Sequence, residues 1–136
     1  MMVLVDTSIW SLALRRAPRQ LSPTQTQQLC KLDEIITEGR VRLLGPVRQE
    51  LLSGIRLPEQ FARLQKQLRA FPDVALEIED YEGAAEMSNA CRTHGIIGSP
   101  IDFLLCSAAE RRVWAIYTAD RDFERYAKHL RLALFP

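Results

Sequence analysis

Apolar residues along this chain fall into two alternating patterns. Short continuous apolar runs read as strands buried on both faces of a parallel sheet, and stretches with apolar residues three and four apart read as amphipathic helices. The run M-V-L-V at 2–5 predicts a strand ending at Asp6, and Thr7 and Ser8 cap a helix through Arg16 that Pro18 stops. Ser22, Pro23 and Gln25 form a cap, a first-turn proline and a capping-box glutamine, opening a helix with Leu29, Leu32, Ile35 and Ile36 on its apolar side and an end near Gly39. V-R-L-L at 41–44 predicts a second strand, and Gly45-Pro46 restarts a helix that carries Glu50 in its second turn and ends near Gly54. From Pro58 a further helix places Phe61, Leu64, Leu68 and Phe71 on one stripe before Pro72 breaks it.

The second half repeats the alternation. V-A-L-E-I at 74–78 predicts a third strand, followed by a helix from Glu79 to His94 and a turn at Gly95. Ser99-Pro100-x-Asp102 repeats the cap, proline and capping-acid pattern at the head of another helix. W-A-I-Y at 114–117 predicts a fourth strand, T-A-D-R-D-F turns the chain into a short helix, and R-L-A-L at 131–134 predicts a fifth strand. Strand and helix alternate throughout, so the expected fold is a three-layer α/β/α domain with a central parallel sheet of about five strands.

Length and composition limit the possibilities. The 136 residues suit a single domain spanning 1–136. With 47% hydrophobic and 26% charged residues the chain reads as a globular domain, and no apolar run approaches the roughly 20 residues a membrane span needs. M-M-V-L-V is too short for a signal-peptide core, so a cytoplasmic location is expected. Cys30, Cys91 and Cys106 are odd in number and lack C-x-x-C spacing, which argues against a disulfide framework or a zinc site and for small core residues. A net charge of +1 does not point to a polyanion. Fifteen of the eighteen basic residues are arginine, the residue suited to bidentate phosphate contacts, although a GC-rich genome produces the same bias.

The chemistry lies in the acids. In an open parallel sheet, ligands sit beyond the carboxyl ends of the strands, near the point where strand order reverses. Asp6 lies just past the first strand, Glu50 a helical turn beyond the second, Asp120 just past the strand at 114–117, and Asp102 heads a helix whose start belongs on the same side. Two like charges about 5 Å apart repel by roughly 3 kcal/mol at an effective dielectric near 20. Protonation or a bound cation relieves that repulsion, and nearby helix N-termini favour the ionised state, hence the cation. Oxygen ligands with no neighbouring histidine or cysteine suit Mg²⁺ or Mn²⁺ rather than zinc. Such an ion supplies what phosphodiester hydrolysis needs. No Gly-rich P-loop is present, and the lone D-x-D, Asp120 and Asp122, follows the wrong strand for an aspartyl-phosphate phosphatase.

Four segments carry a resemblance to a known family: V-L-V-D-T-S-I-W around Asp6, V-R-Q-E-L-L at Glu50, S-P-I-D-F-L-L-C-S-A-A around Asp102, and Y-T-A-D-R-D-F around Asp120. Their order and spacing resemble the PIN-domain ribonucleases, and within them the VapC toxins of toxin–antitoxin pairs, over nearly the whole chain. The resemblance implies that Asp6, Glu50, Asp102 and Asp120 bind one or two Mg²⁺ or Mn²⁺ ions and activate water for attack on RNA, leaving a 5′-phosphate and a 3′-hydroxyl. It implies supporting hydroxyls at Ser8 and Thr118, a VapB-like antitoxin and a homodimer. The alternatives are a PIN nuclease of RNA processing that is not a toxin, and a non-catalytic module that binds RNA or protein.

Each residue also has a plainer reading. Asp6 fits a turn or cap, Asp102 fits the third position of a capping box, and Glu50 sits on an ordinary amphipathic helix. Asp122 offers a second acid after Asp120, or only a helix cap. Arg15, Arg16 and Arg19, and Arg111 with Arg112, stand at helix ends where the dipole accounts for them. Arg48 and Arg121, beside Glu50 and Asp120, are better placed to hold a scissile phosphate. His94 and His129 have no assigned role, and Trp10 belongs to the core or a dimer face.

Overall fold

Four short strands, β1 (Val3–Val5), β2 (Val41–Arg42), β3 (Ala115–Tyr117) and β4 (Ala133–Leu134), run parallel in the order β2-β1-β3-β4. They belong to a computed structural model that describes residues 1–14 and 20–136. Every residue of β1 and β3 is buried. Successive strand side chains point to opposite faces, so both faces of the sheet centre are covered, as three layers require.

Seven helices among the described residues connect and cover the strands: α1 (Thr7–Leu14), α2 (Pro23–Thr37), α3 (Gly45–Leu52), α4 (Pro58–Leu68), α5 (Ile78–Thr93), α6 (Pro100–Arg112) and α7 (Asp122–Ala127). The expected run of the first helix to Arg16, its stop at Pro18, and Arg15, Arg16 and Arg19 lie outside the described residues. α2 opens on the capping box expected of it, with Ser22 Oγ accepting from the Gln25 amide at 3.1 Å and Gln25 Oε1 accepting from the Ser22 amide at 3.0 Å. α6 is the buried helix, enclosed continuously from Phe103 to Ala109. It ends at Val113, whose φ of 59° is left-handed and strained for a β-branched residue. That turn feeds the chain into β3.

Among the described residues the sheet has four strands where about five were expected, because the segment at 74–78 does not join it. Leu43 makes one isolated bridge to Asp73, and Val74 donates to the Leu43 carbonyl at 2.9 Å. The extended run then stops because Asp80 Oδ2 accepts from the Glu77 amide at 2.8 Å, a cap that starts α5 at Ile78. Burial of the cysteines is also uneven: Cys91 and Cys106 are in the core as expected, but Cys30 is exposed on α2. Trp10 belongs to the core, 1% exposed, with its ring 5.0 Å from that of Phe71 beyond α4. Among the described residues no helix is long and apolar enough to cross a membrane.

Candidate active site

Strand order fixes where the site forms. From β1 the chain crosses to β2 on one side, then returns to β3 on the other, so the order reverses between β1 and β3. The crevice beyond their carboxyl ends is the expected ligand position. Asp6 leaves β1 there, its amide donating to the Tyr117 carbonyl at the end of β3 at 2.8 Å. Its carbonyl accepts from Ile9 and Trp10, which makes Asp6 the cap of α1 as well. The plainer reading of Asp6, as a helix cap, therefore holds. The side chain is 6% exposed, and its Oδ2 accepts from Ser8 Oγ at 2.9 Å, from Thr118 Oγ1 at 2.8 Å and from the Ser8 amide at 3.4 Å.

Thr118 and Ser8 knit the two strand ends together. Thr118 Oγ1 accepts from the Asp120 amide at 3.0 Å while donating to Asp6, and Ser8 Oγ accepts from the Ala119 amide at 2.9 Å. One hydroxyl thus ties the positions of two acids. Asp120 is exposed, and its Oδ1 accepts from the Asp122 amide at 2.9 Å, turning the chain into α7. Asp122 lies in the first turn of α7 and faces Arg125 at 3.6 Å.

Asp102 comes from the head of α6. Its amide donates to Ser99 Oγ at 3.1 Å, but its carboxylate turns inward, where Oδ2 accepts from Tyr126 Oη at 2.8 Å. Burial raises the pKa of this acid above the ordinary carboxylate value, hydrogen bonds from Tyr126 and Ser99 oppose the rise, and repulsion from Asp6 and Asp120 adds to it. Asp102 therefore feels the charge of both other acids. The Tyr126 phenol stays protonated, its pKa raised by burial and by the Asp102 carboxylate that accepts its proton.

The other expected residues stand apart. Glu50 is exposed on α3, with no hydrogen bond to the three acids among the described residues. Arg48 is bound to Asp73 at 2.8 Å and to the Phe71 carbonyl, which joins α3 to the chain leaving α4. Arg121 is exposed beside Asp120. Tyr126 carried no local sign of a role. Its spacing from Phe123 marks the inner face of α7, and a buried tyrosine needs a partner for its hydroxyl, but which acid that is depends on the fold.

The donor set suits a hard divalent ion. Among the described residues no three acidic, imidazole or thiol groups converge on one point, so holding an ion takes a side-chain adjustment. Asp6, Asp102 and Asp120 each give one oxygen to donors of the chain, and their second oxygens accept nothing among the described residues. Oxygen donors that pair with no arginine or lysine among the described residues match Mg²⁺ or Mn²⁺.

A model of the PIN-domain family matches residues 3–129. A search of curated proteins returns no match. The solved structure of FitAcB from Neisseria gonorrhoeae is similar, with 21% identity over 99% of this chain and 97% of that one and a TM-score of 0.76. VapBC2 from Rickettsia felis, solved with a DNA fragment from its promoter, is 16% identical over 99% and 98% of the two chains, with a TM-score of 0.78. VapBC-1 from nontypeable Haemophilus influenzae, also 16% identical, covers 99% and 97% with a TM-score of 0.66. At these identities the likeness is one of fold.

Proposed function

The chain belongs to the PIN-domain family, and from that premise we propose that it is a metal-dependent endoribonuclease serving as the toxin of a toxin–antitoxin pair. The observation that carries the reading is that Asp102 lies close enough to Asp6 and Asp120, beyond the β1/β3 edge, for both to raise its pKa, while among the described residues no basic side chain pairs with any of the three. Asp6, Asp102 and Asp120 would hold Mg²⁺ or Mn²⁺ through their carboxylate oxygens, and Glu50, which stands apart on α3, would have to turn toward the ion to serve as a fourth acid. A hard divalent ion bound there supplies Lewis-acid polarisation of the phosphodiester and a more acidic water. Ser8 and Thr118 fix the Asp6 carboxylate, and Arg121 contacts the anionic phosphate oxygens of the RNA. Cleavage leaves a 5′-phosphate and a 3′-hydroxyl.

The partner assignment is supported by similar folds solved in FitAB and VapBC assemblies. A VapB-like antitoxin covers the acidic edge, and the chain forms a homodimer in the cytoplasm. To test the activity, the purified protein and its Asp6→Ala variant are offered total RNA with Mn²⁺. Removing a metal ligand forfeits several kcal/mol of transition-state stabilisation, so cleavage falls by roughly a thousandfold. Equal cleavage by both proteins, or none by either, would overturn the assignment. Induction of the chain alone arrests growth if it is a toxin, and healthy growth would favour an RNA-processing or binding role.

A further inference from the structure

Tyr126 is held in place from several sides. Its side chain is 1% exposed, with its ring 5.0 Å from that of Phe103 on α6 and 5.3 Å from that of Phe123 on α7. The Gly98 backbone closes the remaining side. A methyl group at Gly98 would lie 2.3 Å from Tyr126 Oη, 2.7 Å from its Cζ and 2.9 Å from Phe103 Cε2, so only glycine leaves room for the phenol. The hydroxyl therefore has little freedom to leave Asp102 Oδ2, 2.8 Å away.

The hydroxyl does something the ring does not. Phe123, 0% exposed, and the Tyr126 ring already dock α7, and a phenylalanine at 126 would bury the same ring without a polar atom to satisfy. What tyrosine adds is a fixed donor to one oxygen of Asp102, leaving the other for a ligand. Tyr126 also lies on the helix that starts beside Asp120, so it couples the α6 acid to the β3 acid.

We propose that Tyr126, confined by Gly98, is a positioning residue that orients the Asp102 carboxylate and thereby sets the affinity of the site for a divalent cation. The inference rests on the metal-dependent reading of the Asp6, Asp102 and Asp120 edge. Outer partners of metal ligands are worth about 10- to 100-fold in metal affinity.

The test titrates Mn²⁺ alone, by calorimetry at one pH, into the full-length protein and its Tyr126→Phe, Gly98→Ala and Asp102→Asn variants. Tyr126→Phe is expected to bind Mn²⁺ roughly 10-fold or more weakly, with a metal-free melting temperature within a few degrees of the parent. Its RNA cleavage recovers as Mn²⁺ is raised, which a purely structural defect would not do. Gly98→Ala keeps the hydroxyl but displaces it, and is expected to reproduce the weaker binding; should that variant not fold, Tyr126→Phe decides alone. Parent and Tyr126→Phe binding Mn²⁺ equally, while Asp102→Asn binds poorly, would overturn this inference and leave the proposed function standing. A parent that binds no Mn²⁺ would overturn both.

Discussion

Asp80 and Asp102 occupy the same place, the third residue, on two helices that pack together, α5 and α6. The helices approach so closely at Gly83 that a methyl there would fall 2.4 Å from Ser107 Oγ. Their surroundings are opposite. Asp80, wholly buried, accepts from Arg112 Nη1 at 2.7 Å and Nη2 at 2.9 Å, from Arg111 Nη1 at 2.8 Å and from the Glu77 amide. The Arg112 hydrogen bonds hold its pKa well below the usual carboxylate range despite burial. Asp102 has a phenol in place of arginines and two acids nearby, and its pKa moves up. An acid whose counter-charge is built into the chain belongs to the fold, and one that has no counter-charge among the described residues points to a ligand.

Removing Asp80 tests that contrast hardest. Asp80→Ala leaves two arginines facing a buried gap, and breaking a buried pair costs about 3–5 kcal/mol. The melting temperature should fall by roughly 10 °C or more, while cleavage per folded molecule stays at the parent level. A melt matching the parent would deny the cluster its structural role. The sign with pH follows from the depressed folded pKa. The contribution of Asp80 is complete above its unfolded value of about 4 and is lost as pH falls toward the folded one, so urea unfolding free energies of parent and Asp80→Asn converge in acid.

A somewhat smaller effect sharpens the other half. Mn²⁺ at a hundred times its dissociation constant should stabilise the parent by about 2.7 kcal/mol. Asp80→Ala should gain as much from its lower starting point, and Asp6→Ala almost nothing. Stabilisation of Asp6→Ala to the same extent would mean that the ion binds elsewhere.

How far the sequence reaches follows from the same contrast. Local signals were legible: the Ser22 and Ser99 caps, the buried runs that became β1 and β3, and acids at strand ends that a parallel sheet brings to one edge. The segment at 74–78 misled because its Val, Leu and Ile have the composition of a strand, while the Glu77 and Asp80 cap that stops it works at a distance of three residues. Arg111 and Arg112 read as plain helix-end charges, since their partner Asp80 lies 31 and 32 positions earlier. Tyr126 escaped for the same reason, meeting Asp102 across 24 positions. Asp102 itself had an adequate cap reading. Its amide does bond Ser99 Oγ, but the carboxylate is diverted to Tyr126, and only the packed structure separates the two.

The smallest predicted effect concerns Thr118. Its hydroxyl donates to Asp6 Oδ2 and accepts from the Asp120 amide, so Thr118→Val removes one bond from each acid's support at nearly constant volume. Loss of such hydrogen bonds costs roughly 1 kcal/mol of stability, well short of Asp80→Ala. Cation affinity should fall about tenfold, because Asp6 keeps the Ser8 donor at 2.9 Å and stays partly oriented. Ser8→Ala should behave alike, leaving Thr118 as the donor. The double variant leaves Asp6 with neither hydroxyl, so its loss should exceed the sum of the single losses, as expected of residues sharing one acceptor. Calorimetric Mn²⁺ titrations and thermal melts on all three variants separate affinity from stability. If Thr118→Val lowers the melting temperature as far as Asp80→Ala and leaves Mn²⁺ binding intact, the hydroxyls are a helix cap like that of α5, and the distinction between the two acids fails at Asp6.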